Sequence, residues 1–139
     1  MRAAIAVTEE YRMAWLDRVL WRTAEAVTEL GYGKAVVSCS ALTIASRRCI
    51  RDGHTNASVG EVFLDLQTDR EVLAQRVLQK EGHYMSEAMV HGQVALYQGA
   101  SAEEVDAMPV NSEANKAAVV DEISSILAIL EIQALRLDT

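Results

Sequence analysis

The sequence is poor in the residues that break helices. Pro109 is its single proline, there are seven glycines in 139 residues, and aromatic side chains make up 5%. So few breakers exclude a turn-rich β architecture and favour helices. Two cysteines, Cys39 and Cys49, are too few for a disulfide framework. On one straight helix their ten-residue spacing would separate them by roughly 15 Å, beyond disulfide reach, so they read as reduced thiols. No apolar run approaches membrane-spanning length. The stretch Met1–Val7 meets Glu9 and Glu10 too early for a signal peptide, and a cytoplasmic setting is expected. Basic residues are also scarce, 13 Lys and Arg against 20 Asp and Glu, for a net charge of −7. That balance argues against partners that are nucleic acids or anionic membranes.

What is present is aliphatic: half the residues are hydrophobic, chiefly Ala, Val, Leu and Ile. The length suits one domain, residues 1–139. The pattern predicts an all-α fold, a compact helical bundle of four to six helices, with 35–45 as the one segment that could be irregular or extended. The first helix starts after Thr8 and ends before Gly31-Tyr32-Gly33, with Met13, Leu16, Leu20, Val27 and Leu30 as its apolar stripe. Residues 34–51 fit either a buried strand or a buried helix; their unbroken length favours the helix. Ser58-Val59-Gly60-Glu61 has capping-box spacing and predicts a short helix through Leu66. A second such box opens a long helix from Asp69 toward Gly99. Ser101 starts a turn that Pro109 ends, and Asn111 or Ser112 caps a last helix to Leu137. Val120, Ile123, Leu127, Leu130, Ala134 and Leu137 keep three-four spacing along that helix. So apolar a helix must be central or pack on two sides, and this predicts a homo-oligomer.

Three groups could carry chemistry. His83, Glu87 and His91 recur at i, i+4, i+8, which on a helix aligns two imidazoles and a carboxylate as ligands for a divalent metal. The bland reading is a polar helix edge. Arg47, Arg48 and Arg51 could clamp a small anionic ligand, or could only complement a helix C-terminus. Trp15 and Trp21 flank the first helix's stripe and could stack a ligand or anchor a protein, against plain core or interface packing. Glu25 and Glu29 form a carboxylate pair that fits a solvated face. No nucleophile elbow, P-loop or clustered cysteine pair occurs.

The stretch Lys80-Glu81-Gly82-His83-Tyr84-Met85-Ser86-Glu87, with Asp121-Glu122-Ile123-Ser124-Ser125 later, resembles the all-α nucleoside triphosphate pyrophosphatases of the MazG-like group. That family binds magnesium through acidic residues on two helices. Glu87 and Glu122 match as acids, whereas His83 and Tyr84 stand where two glutamates belong and Ser125 where an aspartate belongs. The resemblance therefore implies a non-catalytic or altered relative. Two functions follow. The preferred one is a non-enzymatic binding or assembly protein, a homo-oligomer capturing a protein or small ligand. The alternative is a metal-dependent or nucleotide-binding helical protein.

Overall fold

The computed structural model describes residues 9–56, 59–79 and 87–137. Its element order is α1 (Glu9–Thr28), α2 (Ile44–Asn56), β1 (Phe63–Gln67), α3 (Arg70–Gln79), α4 (Glu87–Leu96), β2 (Ala107–Asn111) and α5 (Lys116–Leu137). The two strands pair in parallel, from Phe63↔Ala107 to Gln67↔Asn111. The all-α bundle expected from composition is thus incorrect: helices surround a parallel pair, an α/β arrangement.

The first helix follows its sequence signals. Leu16 is fully buried and Leu20 nearly so, while Leu30, beyond the helix, is exposed. Gly31 and Gly33 adopt φ of 69° and 71°, the left-handed region that lets the chain turn away from a helix end. The next segment departs from expectation. Residues 34–42 contain no helix, turn or bend. Within them residues 34–38 are exposed, while Cys39 and Ala41 pack on the core with exposed Ser40 between them. Helix α2 begins only where Thr43 caps it: Ser46 N donates to Thr43 Oγ1 at 3.0 Å, and Ile44 N donates to Gln98 Oε1 at 2.9 Å.

The capping-box spacing at Ser58–Glu61 leads into β1, not a helix. Asp69 does cap a helix, its Oδ1 accepting from Glu71 N at 2.7 Å. The single long helix expected from Asp69 to Gly99 is two, α3 and α4, with 80–86 outside the described residues. Pro109 lies within β2, where its missing N–H is tolerated because the outer edge is unpaired among the described residues. The last helix is capped by Asn115, whose Oδ1 accepts from Ala118 N at 3.0 Å. It is not central: Val120, Leu127 and Ile129 are exposed.

The main core joins α1, α2 and β1. Leu16, Leu20 and Ile50 form it, with Met13, Cys39, Ala41 and Phe63 packed against them. A Cβ at Gly53 would come within 2.7 Å of Leu20 Cδ1, so α1 and α2 approach closely there. Cys39 and Cys49 are both free.

Candidate functional site

In open parallel α/β sheets, ligands bind beyond the carboxyl ends of the strands. Here those ends are Gln67 and Asn111. Ser112 closes the turn after β2, donating its N and Oγ to Gln67 O at 2.8 and 2.9 Å. Asp69 N donates to Glu113 Oε1 at 2.7 Å, tying the two post-strand loops together. Arg76 reaches over from α3 and donates to the carbonyls of Ser112 and Glu113 at 2.7 and 3.1 Å. A cleft of about 430 Å³ opens beside these loops, lined by Arg76, Ser112, Asn115, Lys116, Val119 and Val120 among others. It combines an apolar wall with two cationic side chains and one amide. Such a lining suits a partly apolar ligand with an anionic end.

Asp65, midway along β1, gathers the segment that follows α4. Tyr97 Oη donates to its carboxylate at 2.8 and 3.0 Å, and Ala100 N donates at 3.1 Å. Burial, reinforced by the Asp65 carboxylate, pushes the Tyr97 phenol up to about 12. The phenol is therefore a standing donor.

The arginine cluster is built differently from a ligand clamp. Arg47 is buried and donates from Nε and Nη2 to Glu104 at 2.8 and 2.6 Å, from Nη1 to Ala41 O and Gln98 O at 3.1 and 2.9 Å, and from Nη2 to Gly99 O at 3.3 Å. A guanidinium has five N–H donors, so none remains for a ligand. Arg51 grips Asp106 through Nε and Nη2 at 2.6 and 2.7 Å, also reaches Glu104 at 2.9 Å, and lies 4.8 Å from the centre of the Phe63 ring. Its hydrogen bonds hold the Asp106 carboxyl below its ordinary range, and those of Arg47 hold Glu104 down to about 2. Arg48, one residue beyond Arg47, is exposed on a separate open cavity of about 700 Å³ between α2 and residues 101–106.

The other expected site residues are scattered. Trp15 and Trp21 are exposed on α1 and line neither cleft, with the Arg22 guanidinium 5.9 Å from the Trp21 ring. His83 lies outside the described residues, as does the side chain of Glu87, and His91 is exposed on α4. Among the described residues, no three His, Cys, Asp or Glu side chains gather where a metal could sit. Sequence reasoning missed Asp65, Arg76, Tyr97, Asn115 and Lys116. Only the cap residue Asn115, before a long apolar-periodic run, carried a local signal.

The chain as a whole has counterparts among known proteins. The similarity is to gluconokinases. A crystal structure of a gluconokinase from Sinorhizobium meliloti superimposes with a TM-score of 0.76 at 26% identity, over 97% of this chain and 71% of that one. A curated Schizosaccharomyces pombe protein named "Probable gluconokinase" is 27% identical over 116 residues, 84% of this chain. The chain spans 60% of the length of that relative. No family model matches. The structural likeness, to a P-loop-kinase-like α/β fold, overturns the all-α bundle. Together the two relatives overturn the non-enzymatic assembly reading and favour its nucleotide-binding alternative. They give no support to an all-α pyrophosphatase.

Proposed function

We propose that this chain is part of a sugar-acid kinase that moves the terminal phosphoryl group of a nucleoside triphosphate to a hydroxyl of an acid such as gluconate. In that reaction the P–O bond to the β-phosphate breaks, a P–O bond to the hydroxyl oxygen forms, and the hydroxyl proton is released. The observation that carries the reading is the likeness to the Sinorhizobium gluconokinase across 97% of the chain. The carboxyl-edge cleft supports it: Val119 and Val120 offer a face to a base, and the Lys116 side chain lies beside them. A cytoplasmic setting, where nucleoside triphosphate is at hand and thiols stay reduced, belongs to the same proposal.

Residues 1–139 contain no GxxxxGK[ST] stretch, so binding is the property to measure on this chain. Titration with ADP is expected to shift the amide resonances of residues 115–120, and Lys116→Ala to weaken ADP by about tenfold, the loss of one charge-assisted contact. Shifts confined to α1 or α2, or no saturable shift with ADP or gluconate, would remove the kinase reading.

A further inference from the structure

His54 is buried, its side chain 9% exposed, and neither ring nitrogen has a hydrogen-bond partner among the described residues. A buried neutral imidazole ordinarily donates from one nitrogen and accepts at the other. Facing it is the mostly buried Glu61, whose Oε2 stands 3.4 Å from Nδ1. That is an ion-pair distance, longer than a closed N–H···O bond. The two side chains bridge two elements. His54 lies in the last turn of α2, where open carbonyls favour a cation. Its own carbonyl accepts from Val59 N at 2.9 Å. Glu61 stands two residues before β1, whose first amide, Phe63 N, donates to Asp106 O at 2.8 Å.

The surrounding charges decide which protonation state holds the bridge. Burial pushes the Glu61 carboxyl above its ordinary range, and Asp106 adds to that, while His54 and Arg51 act against it. A carboxyl raised in this way stabilises the fold below about pH 4.5 and loses that contribution as the pH rises. Arg51 is already gripped by Asp106 and Glu104. From α1 the side chain facing Gly53 is Leu20, whereas Asp17 of α1 and Asp52 of α2 bear on the Cys49 thiol. A proton on His54 is thus the charge that offsets an ionised Glu61. Imidazole is also the side chain whose charge ordinarily changes between about pH 5 and 8. We propose that His54 and Glu61 form a proton-operated latch that fastens the end of α2 to the start of β1, closed while the imidazole holds its proton and released when it loses it. The Arg47–Glu104 pair stays closed across this range, because the Glu104 carboxyl is held down to about 2. The latch stands apart from the kinase reading and survives its failure.

NMR on the whole chain from about pH 5.5 to about pH 8 follows the His54 imidazole and hydrogen exchange at 59–63 together. Protection of 59–63, corrected for the intrinsic pH dependence of exchange, is expected to fall about tenfold, since one linked proton changes an equilibrium by at most that per pH unit. The midpoint of the fall should coincide with that of the imidazole. In Glu61→Gln the fall should vanish or reverse, because an imidazolium is then buried without a counter-charge. In His54→Gln protection should stay at the released level throughout. Constant protection in the wild type overturns the latch, and so does a fall whose midpoint differs from that of His54. An equal fall in Glu61→Gln does the same. Should either variant fail to fold, the two wild-type midpoints still decide.

Discussion

Glu104 is the residue on which the α2 contacts converge. It accepts from Arg47, Arg51 and the Ser101 amide, with a side chain only 7% exposed. Glu104→Gln would leave Arg47 buried beside a neutral amide, and breaking a buried pair in this way costs about 3–5 kcal/mol. Chemical denaturation should show that loss as a lower midpoint. Because the folded Glu104 pKa lies below the ordinary value of 4.5, its contribution is present above about pH 4.5 and disappears as the pH falls toward 2. Asp106 shifts in the same direction and adds to the acid sensitivity. The wild type should therefore lose stability over that window more steeply than Glu104→Gln; parallel curves would contradict the assignment. Gly53→Ala tests the neighbouring crossing. Its Cβ at 2.7 Å from Leu20 Cδ1 forces the core leucine to move, an overpacking that costs about 1–3 kcal/mol.

Among the elements, α5 depends most on local signals, and Asn115→Ala should remove its cap. The loss is about 1 kcal/mol, seen as a drop of a few degrees in melting temperature. The same scale explains what could be read in the chain. Gly31 and Gly33 end α1 through nearest-neighbour chemistry, and the helix stops at Thr28, two residues short of the expected Leu30, while its expected cap Thr8 lies outside the described residues. Strand β1 has no comparable signal. Phe63-Leu64-Asp65-Leu66-Gln67 is five residues long, and the partner that makes it a strand begins at Ala107. Parallel pairing is a property of distant residues, invisible in any local window. The arginine triplet misled for a related reason: helix periodicity places Arg47 and Arg51 one turn apart, but only the folded chain brings Glu104 and Asp106 to them.

At the scale of the molecule, the expectation of a homo-oligomer stays a proposal that rests on the exposed apolar residues of α5, Val120, Leu127 and Ile129. Leu127→Asp separates the alternatives. With Leu127 at 43% exposure, the substitution should change the melting temperature of a monomer by no more than a degree or two, since surface changes of this kind cost within about 0.5 kcal/mol. A fall in native mass with retained helicity would place α5 in an interface; an unchanged mass would exclude that face. No helix among the described residues is long and apolar enough to cross a membrane.

The neutral knot of Arg47, Arg51, Glu104 and Asp106 has a kinetic corollary. Its two cations and two carboxylates cancel, so the whole net charge of −7 is carried by the rest of the chain and projects into solvent. An anionic ligand, such as those of the proposed reaction, would approach against that field. Added salt, which ordinarily slows electrostatically steered encounters, should here speed the capture of an anion by screening the repulsion over distances of about 10 Å.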